Sequence, residues 1–336
     1  MPFCYHGDII ESKSKACKRK LSPKHMPKNK PTKQHYVPQC YLREWADPTV
    51  SSNQEPFVWI FDKDGRNKRK DKVKNVLASN DLYTIKIKGE KNYSIEETLA
   101  NLEGKYAKIF EKKIKRKIPL TEKEHIILCA FVSVMLQRTL RHRDNLERFY
   151  DELIERTQEM EVAHQLSSTK SDELKRYKEN THKLGVVQLL PDITELLLKM
   201  SVAFLCAEKG LKFITSDDPC NLFNPDLQWQ RFYGPGLAQK NVQVTLPLSP
   251  NILLCLSWSN LRGYILWDKT WVENTNRMIR SYSYKYFISN SSKTKRVWSS
   301  RYPLDFFFIL KILKHKVEMI FYRLKMWYRF RHVRKR

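Results

Sequence analysis

Residues 121–137, TEKEHIILCAFVSVMLQ, constrain the fold more than any other stretch. Thr121 and Glu124 have the spacing of a capping box, in which each side chain satisfies the other residue's backbone N–H. The run that follows, IILCAFVSVMLQ, is apolar nearly all round rather than on one stripe. A helix of that kind has to lie at the centre of a core, with other elements covering every face. The spacing predicts one long helical region over 122–163, with its charged second half projecting.

The flanking segments supply the cover. IEETLANLEGKYAKIF (95–110) places Leu99, Leu102, Tyr106, Ile109 and Phe110 at three- and four-residue intervals, so one face packs inward. Ser94 and Glu97 are read as its capping box, and Pro119 as its stop. Residues 164–183 are polar and are read as a connector or a shorter helix. Pro191 suits the first turn of a further helix, ending near Gly210.

On either side the period changes to two. FVWIFDKDGRNKRKDK (57–72) reads as a strand, a turn on Asp64-Gly65, and a basic strand or loop. DLYTIKIKGEKN (81–92) alternates at Tyr83, Ile85 and Ile87 before a turn at Gly89. LKFITSDDPCNLF, NVQVTLPLSPNILLCLSW and YKYFISN read as later strands, with a helix over 270–282. The expectation is a single large α+β domain over 35–292. It has a small N-terminal antiparallel β unit, a central helical bundle and a C-terminal antiparallel β portion.

Net charge is +26, and most of it lies at the ends. Residues 1–34 hold nine basic and two acidic side chains, and residues 293–336 hold fourteen and two. The first is read as a disordered basic arm and the second as a basic amphipathic helix and tail. In the latter, Phe306, Leu310, Leu313, Val317, Ile320, Leu324 and Trp327 alternate four and three apart. That helix could dock on the domain, lie on a membrane or pair with a partner helix. Like-charged ends seek a polyanion, so nucleic acid is the expected partner and an anionic membrane surface the alternative. Lys18, Arg19, Lys20, Arg141, Arg331 and Arg334 are the candidate nucleic-acid or anion contacts.

The longest apolar runs fall far short of the roughly 20 residues of a transmembrane helix. Residues 1–30 lack the apolar stretch of a signal peptide. With an odd number of cysteines, seven, and no C-x-x-C pair, the expectation is a cytoplasmic protein with reduced thiols and no zinc finger. Nine glycines and no phosphate-cradling glycine motif argue against a nucleotide motor or a dinucleotide-binding dehydrogenase.

Two segments could carry chemistry. HYVPQCYL offers His35, whose imidazole titrates near neutrality and can act as a general base or a metal ligand. ITSDDP ends an apolar strand in Asp217 and Asp218. Both segments also have plain structural readings, as turns closed by side-chain hydrogen bonds. Arg138 and Arg141, read as neighbours on one helix face, should pair with an acid (Asp217, Asp81 or Glu97) or surround an anion such as phosphate. His35, Asp217, Asp218 and Arg138 are the catalytic candidates. Any cofactor is unassigned, a divalent metal such as magnesium being the form that a nuclease would use.

Taken in order, HYVPQCYLREWA, WIFDKDG, KNVLASNDLYT, IEETLANLEGKYAKIF, LQRTLRHR, FITSDDP, LPLSPN and VENTNRMIRSYSYKYFIS resemble the domain-of-unknown-function 4238 family, which is mostly bacterial. The resemblance spans roughly 35–290. It implies an α+β domain with a His-Tyr-Val-Pro opening and a Thr-Ser-Asp-x-Pro turn, and it brings no known reaction. The functional expectation is therefore a nucleic-acid-directed protein, as a metal-dependent nuclease or a bacterial defence or toxin-type effector. The alternative is a non-catalytic binding or sensor module anchored by its basic ends.

Overall fold

The computed structural model describes residues 33–295 and Trp298, apart from 52, 88, 166, 225–226 and 228–234. Residues 1–32 of the basic arm, and the C-terminal segment apart from 293–295 and Trp298, lie outside the described residues, and with them Lys18, Arg19, Lys20, Arg331 and Arg334; Lys33 and Gln34, read as the end of the arm, belong to strand β1.

The elements run β1 (Lys33–His35), α1 (Gln39–Leu42), β2 (Phe57–Asp62), β3 (Arg69–Lys72), β4 (Ala78–Asn80), β5 (Ile85–Ile87) and β6 (Glu90–Asn92). Five helices follow: α2 (Ser94–Ile109), α3 (Glu122–Gln137), α4 (Leu140–Ala163), α5 (Thr169–Gln188) and α6 (Leu190–Leu198). The chain then returns to strands: β7 (Ser201–Ala207), β8 (Thr215–Ser216), β9 (Asn221–Phe223), β10 (Gln243–Ser249), β11 (Ile252–Ser257) and β12 (Gly263–Trp267). It closes with α7 (Lys269–Tyr282) and β13 (Tyr286–Ser289). The fold is α+β.

Nine of these strands form two larger sheets, while β1 pairs with β4 and β5 with β6 in two two-stranded sheets. One has the order β12-β7-β11-β10-β9, antiparallel except for the parallel β12–β7 edge pair. The other has the order β3-β2-β13-β8 and is antiparallel throughout. The expected N-terminal antiparallel pairs are present, β1 with β4, β2 with β3 and β5 with β6, but β2 also joins a later strand. β2 pairs with β13, more than 200 residues later, because Val58, Ile60 and Ile288 share one apolar face that joins the main core. Such non-local pairing leaves no local signal.

α3 sits where its composition demands, with Leu128, Cys129, Phe131, Val132, Val134 and Met135 buried. Its capping box is present: the Thr121 hydroxyl accepts from the Glu124 N–H, and the Glu124 carboxylate accepts from the Thr121 N–H at 2.8 Å. The stacked rings of Tyr106 and Phe131 join α2 to it.

Several expectations are corrected. The 122–163 region is two helices: it breaks at Arg138, and Thr139 caps α4 by accepting from the His142 N–H. Ser94 is not a cap. The N-cap position falls to Tyr93, which makes no side-chain cap bond; Ser94 is already helical, and its N–H donates to the Asn92 side chain at 2.9 Å. Residues 169–188 form a full helix. The helix begun at Pro191 stops at Leu198, and the apolar run continues as strand β7, buried between β11 and β12. A segment apolar on all sides satisfies either period, so the sequence pattern could not separate them.

Candidate functional site

The family motifs meet in the interior. Gln34, fully buried, donates from Nε2 to the Thr84 hydroxyl at 3.0 Å, and its Oε1 accepts from the Tyr83 N–H. The Tyr83 hydroxyl donates to the Arg138 carbonyl at 2.9 Å, and the Arg138 guanidinium lies 5.5 Å over the Tyr83 ring. Arg138 is 1% exposed; it donates from Nη1 to Glu103 at 2.6 Å and from Nη2 to the His35 carbonyl. Burial opposes its charge, but Tyr83 and Glu103 more than offset that and hold its pKa above the usual value. Its partner is thus Glu103, not Asp217, Asp81 or Glu97. Asp81 instead pairs with Lys91 at 2.7 Å.

His35 is buried beside this group, its Nδ1 3.5 Å from the Gln39 amide nitrogen. Burial lowers its pKa to about 4, and the charges of Arg138 and Lys33 add to the effect. At neutral pH the ring is uncharged and only a weak base.

The second group gathers at the ITSDDP turn. Asp217 is 3% exposed, and its carboxylate accepts three backbone N–H groups: Tyr284 at 2.8 Å, Lys285 at 2.7 Å and Tyr286 at 3.0 Å. It pins the start of β13 against β8. Burial raises its pKa, and the three donors oppose the rise. Asp218 pairs with Arg141 at 3.2 Å, and Arg141 also donates to the Ser283 carbonyl. Burial pushes the Asp218 carboxyl up to about 6; Arg141 opposes this and the neighbouring Asp217 adds to it.

Arg138 and Arg141 therefore do not share a helix face. One closes α3, the other belongs to α4, and each has its own acid. His35 and Arg138 meet through the His35 carbonyl, while Asp217 is bound to the β13 backbone. A cleft on which all three side chains converge is not what these contacts build. The Tyr41 hydroxyl links the two groups by sharing a 2.5 Å hydrogen bond with Thr215. Among the described residues no set of three or more His, Cys, Asp or Glu side chains is placed to hold a metal ion. The five described cysteines are free, and burial raises every one of their pKa values, so none offers a thiolate nucleophile.

A polar cavity of about 220 Å³ opens between α4, α5 and the turn after β4. Its cations are already engaged: Lys178 with Asp151, Arg143 with Asp144 and Glu147, and Lys183 with the Thr84 carbonyl. His182 is on its wall, with its Nε2 3.1 Å from the Gln137 carbonyl. Burial lowers its pKa to about 4.

The surface gathers its cations on one hairpin, several of them in exposed ion pairs: Arg66 with Asp64 at 3.5 Å, Arg69 with Asp62 at 3.6 Å, and Lys72 and Lys74 with Glu55 at 3.0 and 2.7 Å. The β2–β3 hairpin and the residues just beyond it (57–74) carry seven basic and three acidic side chains, and Arg66, Lys68, Arg69, Lys70, Lys72 and Lys74 are all exposed. Lys68 and Lys70 lie over aromatic rings, Lys68 5.5 Å from Trp59 and Lys70 5.2 Å from Phe57, and the charge of Lys70 also reaches the Asp47 carboxylate. Arg69 lies 4.5 Å over Tyr286 on the opposite face. The sequence reading passed over these aromatics. The signal was present: Phe57 and Trp59 are two apart, and a turn at Gly65 sets Trp59 opposite Lys70 and Phe57 opposite Lys72.

The interlocked motifs and two-sheet architecture define an α+β domain with a buried polar hub. The chain belongs to the DUF4238 family, described as a protein of unknown function, whose model matches residues 33–293. No curated protein and no solved structure matches it.

Proposed function

We propose that this chain is a nucleic-acid-binding protein in which surface cations do the binding and the polar residues of the hub hold the fold. The observation that carries this reading is the 57–74 hairpin. Its net charge of +4 is more than half of the +7 carried by residues 35–292, and it stands on exposed side chains interleaved with aromatics. Lysine and arginine bind phosphates with release of counterions, largely independently of sequence. The basic segments 1–34 and 293–336 would add to the same field. The bonds made by the candidates favour this binding reading over the nuclease reading: Asp217 is held by three backbone N–H groups, Asp218 by Arg141, and Arg138 by Glu103 and the His35 carbonyl.

The test is binding of the full chain to labelled single- and double-stranded oligonucleotides from low to high salt. Affinity should fall by orders of magnitude as salt rises. No binding at low salt, or binding indifferent to salt, would overturn the proposal. Flotation with anionic liposomes in the absence of nucleic-acid binding would point to a membrane surface instead.

A further inference from the structure

The hairpin does more than present charge. Phe57 and Trp59 fall on the same face of β2, two residues and so about 7 Å apart along the strand. Their rings meet edge to face at 5.8 Å. The Trp59 Nε1 donates to the Asp47 carboxylate at 2.6 Å, which fixes the plane of the indole. Phe61, next on this face, is buried with Phe287 and with Ile279 of α7, and Trp59 packs against that cluster; Trp59 and Phe57 are half-buried, so each keeps part of its surface open. Lys70 and Lys72 come up from β3 on the same face, in register with Trp59 and Phe57. β3 is the outer strand of its sheet, so nothing in the sheet lies beyond it.

We infer that this face of β2–β3 is a stacking platform for single-stranded nucleic acid, resting on the nucleic-acid reading above. The two rings would each receive an unpaired base, and Lys68 and Lys70 the phosphates beside them. Several features select single strands. A base inside a duplex has both faces covered by its neighbours and cannot lie on a side chain, whereas an unpaired base offers a free π-face to any aromatic ring. Duplex DNA would meet only the cations, a contact that every basic protein makes. Lys68 and Lys70 rest over these rings, so an arriving base takes their place on the π-faces while the flexible ammonium groups swing to the adjacent phosphates. A strand running along β2 could place successive bases on residues spaced by two.

The test uses the full chain, a labelled oligothymidylate and a labelled hairpin duplex with the same number of phosphates. Phe57→Leu keeps an apolar side chain and removes the π-face; Phe57→Tyr keeps the π-face. Stacking on an aromatic is worth about 1–3 kcal/mol per base, so Phe57→Leu should weaken single-strand binding roughly tenfold. Duplex binding should stay within about twofold, and Phe57→Tyr should bind single strands like the wild type. Lys68→Gln/Lys70→Gln should weaken both ligands. Trp59→Leu repeats the loss if its urea midpoint matches the wild type; if it does not, the two Phe57 variants decide. Equal losses for single strand and duplex in Phe57→Leu, or no loss in either, would refute the platform and leave the nucleic-acid reading standing. Absence of binding to both ligands by the wild type would refute the reading itself.

Discussion

Replacing Asp217 separates a structural carboxylate from a catalytic one. In Asp217→Asn the side-chain shape is kept, but the amide has one acceptor oxygen where the carboxylate has two. With that oxygen facing Lys285 and Tyr286, the amide NH₂ is turned towards the Tyr284 N–H, now bonded at 2.8 Å. A buried N–H left without an acceptor costs about 1–3 kcal/mol, and the two remaining bonds lose their charge assistance, about 1 kcal/mol between them. Burial raises the Asp217 pKa, so the charge itself is held at a cost, and a neutral amide recovers on the order of 1 kcal/mol of that. The net expectation is a loss of about 2 kcal/mol. Asp217→Ala strands all three donors and should lose about 4 kcal/mol. Urea unfolding of the full chain, followed by far-ultraviolet circular dichroism at constant m, reads both values. Nucleic-acid affinity should be unchanged while the variants remain folded. If Asp217→Asn and Asp217→Ala both unfold within about 0.5 kcal/mol of wild type, the carboxylate does not pin β13, and the reasoning fails.

Two further changes probe the hub. Arg138→Ala leaves Glu103 and the His35 carbonyl without their donor and should cost about 3–5 kcal/mol in the same urea assay; Arg138→Lys should restore only part of this, because one ammonium cannot span both acceptors. A loss below about 1 kcal/mol for Arg138→Ala would remove Arg138 from the hub. The neutral form of His182 is favoured by folding, so its contribution is full above pH 6.5 and is lost as pH falls towards 4. The stability gap between wild type and His182→Gln should therefore shrink by up to about 3 kcal/mol between pH 7 and pH 4. A gap independent of pH would show that the ring titrates normally, and a proton resonance titration of His182 would report the same.

Sequence pattern made some of this legible. Alternation located β5, and apolar runs bounded by turn residues located β2, β10 and β11; the Thr121–Glu124 spacing located the start of α3; and 270–282 was read within one residue of α7. The ordered motifs were enough to identify the family. What stayed hidden was of two kinds. The first was local ambiguity: the run through Leu198 and Phe204 is apolar on every side, so helix α6 and strand β7 merged into one expected helix. The break at Arg138 likewise carries neither glycine nor proline. The second was pairing at long range. Arg138 meets Glu103 and His35, 35 and 103 residues away, and β2 meets β13 across most of the domain. No spacing rule reaches that far. The hub was therefore visible as a list of polar residues and invisible as a set of bonds, which is why its members looked like catalytic candidates.

The central claim, that the hairpin cations bind phosphate, meets its most direct test in the salt dependence of single-strand binding. The full chain is compared with Lys68→Gln/Lys70→Gln. Each phosphate contact on a single strand contributes about 0.7 to the slope of log K against log salt, so losing two should make the slope shallower by about 1.4. Identical slopes for the two proteins, with both folded, would place the binding elsewhere and contradict the account.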